Sequence, residues 1–128
     1  MVIESDRTKW QLYISQSGYI ERILEHVGLV KCNGVSTPLI AKEKFLPRPK
    51  DNAVIPNSEP ADEQRFQQAI GSLGWLAGAT RPDIAYSVSL LGCFSMDPVE
   101  MHWQGIKRVF RYISGTKELR LCLCRRQA

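Results

Sequence analysis

The side chains able to do chemistry are dispersed along the chain. Polymerases and ribonucleases of the two-metal kind hold two Mg²⁺ ions about 4 Å apart on shared carboxylate oxygens, which requires clustered acids. The aspartates Asp6, Asp51, Asp62, Asp83 and Asp97 are instead scattered. Asp62 and Asp97 stand where helices are expected to start, and Asp83, after Arg81-Pro82, favours a helix N-terminus through the dipole. His26 and His102 fall on different expected helices without partners at metal-ligand spacing. Cys32, Cys93, Cys122 and Cys124 contain no pair at the spacing that zinc or redox sites use. They are expected to be reduced thiols packing as small apolar groups. Gly71-Ser-Leu-Gly74 lacks the Gly-Lys-Ser/Thr of a phosphate loop and the Gly-x-Ser-x-Gly of a nucleophile elbow. No catalytic residue, metal site or cofactor is expected.

Positive charge is the one functional signal. The net charge is +4 and the isoelectric point about 9.0. From Met101 onward Lys107, Arg108, Arg111, Lys117, Arg120, Arg125 and Arg126 are opposed only by Glu118. Lys107, Arg108 and Arg111 share a helix face flanked by Trp103 and Tyr112, an arrangement able to neutralise phosphates without reading sequence. A solvated helix face explains the same spacing.

The elements that must position these residues follow from periodicity. Two β-prone runs within 1–14, separated by Ser5-Asp-Arg-Thr-Lys9, predict a β-hairpin. Ser15 is placed to cap a helix within 15–30 whose apolar positions Ile20, Ile23, Leu24 and Val27 lie on one face and which Gly28 ends. Prolines 38, 47, 49, 56 and 60 make 31–60 an irregular connection suited to binding or docking. The helical part spans 61–115. Its first helix starts near Asp62, with Phe66, Ile70, Leu73, Leu76 and Ala77 inward and Gly71, Gly74 and Gly78 suggesting close backbone packing. A second opens on Pro82 and ends near Phe94. A third has Asp97 as N-cap, Pro98 next and Glu100 closing a capping box, with Val99, Trp103, Ile106, Phe110 and Ile113 on its apolar stripe. Alternation around Leu119, Leu121 and Leu123 predicts a strand within 117–126.

The fold class is therefore α+β, mostly α: an N-terminal hairpin, about four helices and a C-terminal strand in a single domain, 1–128. Whether hairpin and strand share a sheet stays open. With no apolar run of about 20 residues and an acidic Glu4 near the start, the chain is expected to be intracellular and to have no membrane partner.

Several strings, in order, resemble the copia-type retrotransposon polyprotein. They are Tyr13-Ile-Ser-Gln16 with Tyr19-Ile20 and Ile23-Leu24, Ser36-Thr-Pro-Leu39, Ile70-Gly-Ser-Leu73, Thr80-Arg-Pro-Asp-Ile-Ala85, His102-Trp103, Lys107-Arg-Val109, Arg111-Tyr112 and Gly115-Thr116. Gly74-Trp75 departs from the family, which has a bulkier pair including Tyr there. The resemblance implies a reverse transcriptase (RNA-directed DNA polymerase) fragment covering primer grip, thumb and connection. The polymerase aspartates would lie upstream and ribonuclease H downstream, so the piece would not be an enzyme by itself and Mg²⁺ would belong to the full polymerase. It further implies that Lys9, Gln16, Lys107, Arg108 and Arg111 contact the backbone of an RNA–DNA or DNA duplex, and that the rest of a reverse transcriptase is a partner. The alternative expectation is a domesticated protein-interaction module or an inert remnant, using the Pro-rich segment or strand edge to bind a protein.

Overall fold

The computed structural model describes residues 2–29, 33–39, 45 and 61–124. Strands β1 (Val2–Asp6) and β2 (Gln11–Ser15) form the expected hairpin, with Val2 opposite Ser15 and Asp6 opposite Gln11. Its turn is built by Asp6, whose Oδ1 accepts from the Thr8 backbone N–H at 3.0 Å and the Thr8 hydroxyl at 2.6 Å. Those bonds stabilise the carboxylate and lower its pKa. Strand β3 (Leu121–Cys124) pairs antiparallel with β2, giving the order β1-β2-β3. Hairpin and C-terminal strand thus share one sheet.

Alternation gives the sheet two faces. Ile3, Ile14 and Leu121 lie opposite one another across the strands, and Ser5, Leu12 and Leu123 form the next row of the same face. Glu4, Tyr13 and Cys122 lie on the other, where Arg120 donates to Glu4 at 2.9 Å and covers the Tyr13 ring at 4.3 Å from its centroid. The sheet projects from the helical body, and Val2, Ile3 and Leu123 are all at least half exposed.

Helix α1 (Ser17–Val27) buries Ile20, Ile23 and Leu24. Gln16, not Ser15, occupies its cap position and makes no side-chain cap, because its amide is turned inward. Gly28 ends the helix at φ 74°, in the left-handed region that glycine enters without steric cost. Helix α2 (Glu63–Ala79) is capped by Asp62, which accepts from the Arg65 N–H at 3.2 Å, and it buries Phe66, Ala69, Leu73 and Leu76. The close packing expected at Gly71, Gly74 and Gly78 is not found: all three are exposed, and a Cβ there would meet nothing within 4 Å. The apolar stripe points away from them.

A 3₁₀ turn (Pro82–Ile84) leads into α3 (Ala85–Gly92), as Pro82 indicated. Helix α4 (Glu100–Gly115) starts two residues later than expected, with Val99 rather than Asp97 at the cap position. Valine has no side-chain acceptor, so the start is held from inside: buried His102 accepts the Val99 N–H on Nδ1 at 3.0 Å. The imidazole is stacked on Phe94 with centroids 3.9 Å apart. Phe66, Leu73, Leu76, Ile84, Leu91, Ile106, Val109, Phe110 and Ile113 form the core among the four helices. The connection expected over 31–60 lies outside the described residues except for 33–39 and Phe45; positions 125 and 126 of the expected strand do too.

Candidate nucleic-acid interface

The three α4 cations do not behave alike. Arg108 donates from Nη2 to the Thr37 hydroxyl at 2.9 Å, and Arg111 donates from Nε to the Asn33 carbonyl at 2.9 Å. Both therefore clasp residues 33–37 to the helix. The two backbones come so close that a Cβ on Gly34 would lie 3.0 Å from Gly115 Cα. Arg108 Nε is buried with no hydrogen-bond partner among the described residues. Lys107 is half-buried and, among the described residues, makes no ion pair. Of the three it alone makes no side-chain hydrogen bond or ion pair among the described residues.

Gln16 is 4% exposed and its Oε1 accepts the Thr80 hydroxyl at 2.6 Å. The structure places it in a buried junction, not on a surface. Next to Thr80, the Arg81 side chain is 2% exposed. It donates from Nε and Nη2 to the two Asp83 carboxylate oxygens at 3.1 and 2.9 Å. Its Nη1 and Nη2 reach the Thr116 carbonyl and hydroxyl at 3.1 and 2.7 Å, at the C-terminal end of α4 where carbonyls lack helical partners. The Tyr112 hydroxyl donates to Asp83. Burial pulls the Asp83 pKa up, but hydrogen bonds from Arg81 and Tyr112 and the Arg81 charge outweigh it and hold it below the usual carboxylate value. The bond to Asp83, helped by burial and the carboxylate charge, raises that of Tyr112.

These are the same strings that carry the family resemblance. Gln16, Thr80-Arg-Pro-Asp83, Tyr112 and Thr116 meet at the junction, while Thr37, Arg108 and Gly115 meet at the clasp. Their visible work is to fasten the hairpin and residues 33–39 to the helices.

Lys9 is exposed in the hairpin turn. Beside it stand Arg7, also exposed, and Trp10, 65% exposed. Trp10 has φ 53°, a left-handed conformation rare for a bulky residue. Sequence reading did not single out Arg7 or Trp10; the signal was the basic and aromatic interleaving of Arg7-Thr-Lys-Trp10. Lys9 and Lys107 are carried by different elements.

Among the described residues no three His, Cys, Asp or Glu side chains are grouped to hold a metal ion. Among them, too, no helix is long and apolar enough to cross a membrane.

The chain is 36% identical over 124 residues to the retrovirus-related Pol polyprotein from transposon TNT 1-94 of Nicotiana tabacum, which covers 97% of this chain and 9% of the polyprotein. It is 35% identical over 114 residues to that from transposon RE1 of Arabidopsis thaliana, covering 89% of this chain and 7% of the relative. An uncharacterized mitochondrial protein of Arabidopsis thaliana is 33% identical over 105 residues, 82% of this chain and 40% of its own length. No family model and no solved structure matches. The chain spans less than a tenth of each of these two polyproteins.

Proposed function

We propose that this chain, a member of the copia-type retrotransposon Pol polyprotein family across the segment it spans, holds a nucleic-acid duplex by its backbone and supplies no catalytic group itself. In this reading it is a primer-grip, thumb and connection piece of a reverse transcriptase, with the polymerase and ribonuclease H carboxylates elsewhere in the polyprotein.

The observation that carries the reading is the hairpin tip. Arg7 and Lys9 stand in solvent beside an indole held in a strained left-handed conformation. Such conformations cost about 1–3 kcal/mol, persist only where surroundings impose them and gather at functional sites. Cations beside an exposed ring suit sequence-independent binding: phosphate neutralisation plus stacking on a base or sugar edge. Lys107 supplies a further cation on the helical body. Arg108 and Arg111 serve the clasp, and Gln16 the junction, so the duplex contacts narrow to Lys9 and Lys107 from the expected set, with Arg7 and Trp10 added.

The test is binding of the chain to a fluorescent RNA–DNA hybrid across a salt series, compared with a variant carrying Arg7→Ala, Lys9→Ala and Lys107→Ala. Every phosphate that the variant no longer neutralises should reduce the slope of log affinity against log salt by about 0.9. A wild type that does not bind at low salt, or a triple variant with an unchanged slope, would refute the reading.

The apolar sheet face formed by Ile3, Leu12, Ile14, Leu121 and Leu123 favours a second reading, an interaction module that docks a protein partner. In that case the hybrid is not bound, and charge substitution at Ile3 abolishes partner binding.

A further inference from the structure

We propose that the cleft between α1 and α2 is a binding site for a small organic anion carrying one apolar group, such as an aryl sulfonate, phosphate or carboxylate. Helix α1 packs chiefly on α4, and α2 also touches it. The space left between the two outer helices is a cavity of about 280 Å³ floored by Ile23, Ala69 and Phe110. That is near the lower end of the range for small-ligand pockets. Phe110 and Ala69 belong to the core, so the floor is rigid.

The rim gives the pocket its sign. Among the described residues Arg22, His26 and Arg65 line it and no carboxylate does; Arg65 also borders a neighbouring hollow with Asp62, Glu100 and Trp103. Among the described residues neither Arg22 nor Arg65 forms an ion pair. Each guanidinium is instead held by a ring: Arg22 over Tyr19 at 5.7 Å and Arg65 over Trp103 at 4.9 Å from the centroids. Stacking restrains a guanidinium while leaving its N–H edge free to donate. Four other arginines meet acceptors: Arg81 with Asp83, Arg120 with Glu4, Arg108 with Thr37 and Arg111 with Asn33. Arg22 and Arg65 therefore combine positioned donors, no ion-pair partner among the described residues and an apolar floor. An anion alone would leave that floor wet, and an apolar group alone would leave the guanidiniums unanswered. The complementary ligand has both.

The experiment titrates the full chain with naphthalene-2-sulfonate, with the neutral 2-naphthalenemethanol and with inorganic sulfate, following backbone amide shifts by NMR. The expected result is saturable binding of the sulfonate with shifts concentrated at Arg22, His26, Gln68 and Ser72, and affinity at least about tenfold above that of either comparison compound, the scale of one charge-assisted hydrogen bond. Arg22→Gln combined with Arg65→Gln, both at exposed positions, should reduce the sulfonate to the level of the neutral compound. Equal binding of the neutral compound, equal binding of sulfate, or shifts centred on the hairpin tip would each overturn the proposal. The ligand comparison needs no variant, so it decides the matter even if the double substitution lowers stability.

Discussion

The Tyr112 hydroxyl donates to Asp83 Oδ2 at 2.6 Å, on the same carboxylate that neutralises the buried Arg81 guanidinium. Two residues 29 positions apart thereby fix the end of α4 against the turn after α2. Asp83→Ala leaves a guanidinium that is 2% exposed without its counter-ion, and is expected to cost about 3 kcal/mol. Tyr112→Phe removes one bond to a charged acceptor and is expected to cost about 1.5 kcal/mol. Urea unfolding at neutral pH measures both. An Asp83→Ala cost no larger than that of Tyr112→Phe would show that Arg81 finds adequate solvation without the carboxylate.

The same pair predicts stability losses at both ends of the pH scale. Asp83 has a depressed pKa, so its contribution is full above the ordinary value of about 3.9 and disappears as pH falls through the lower folded value. Tyr112 has a raised pKa, so its contribution is full below about 10 and disappears as pH rises through the higher folded value. Urea midpoints against pH should fall at both ends. Asp83→Asn should flatten the acid limb, and Tyr112→Phe the alkaline one.

Glycine substitutions separate two environments. Alanine at Gly71, Gly74 or Gly78 meets no atom within 4 Å on an exposed helix face, so each should stabilise by about 0.5–1 kcal/mol through lower unfolded-state entropy. Gly34→Ala would set its methyl 3.0 Å from Gly115 Cα, where backbone must move. It should destabilise by about 1–3 kcal/mol. Thermal unfolding of the four single variants tests the contrast, and destabilisation by all four would mean that the α2 face is covered.

What could be read in advance divides along physical lines. Local signals were legible: the α1 stripe of Ile20, Ile23 and Leu24, the Asp62 cap, the Gly28 stop and the hairpin all stand. The start of α4 was misplaced because it depends on His102, a side chain that must be buried against Phe94 before it can accept the Val99 N–H. The glycines of α2 were misread because spacing within one helix does not reveal which face meets a neighbour. The cationic face of α4 was visible as a pattern, but the capture of Arg108 and Arg111 by Thr37 and Asn33 depends on contacts across more than seventy residues. Trp10 is marked in the sequence only by its place beside Arg7 and Lys9, and its left-handed backbone angle is visible only in the fold.

Trp10 offers a test in which function and folding can be scored apart. Asparagine tolerates the left-handed region, so Trp10→Asn should preserve the hairpin, visible as unchanged amide shifts along β2. A base stacked on the indole contributes about 1–3 kcal/mol, so hybrid affinity should fall about tenfold with little change in the salt slope. A loss of slope without loss of affinity at low salt would mean that the ring positions Lys9 instead of touching nucleic acid.

The α4 cations allow the sharpest separation of holding the fold from holding a ligand. Arg108→Ala and Arg111→Ala each remove a bond to residues 33–37 and should each cost about 1 kcal/mol of stability, while hybrid affinity per folded molecule stays the same. Lys107→Ala removes a half-buried cation with no ion pair among the described residues. It should change stability by less than about 0.5 kcal/mol and lower the salt slope by about 0.9. Urea unfolding and salt-dependent binding on the same three variants give both quantities. If Arg108→Ala or Arg111→Ala lowers the slope as Lys107→Ala does, the clasp opens on binding and its arginines move from Thr37 and Asn33 to phosphate.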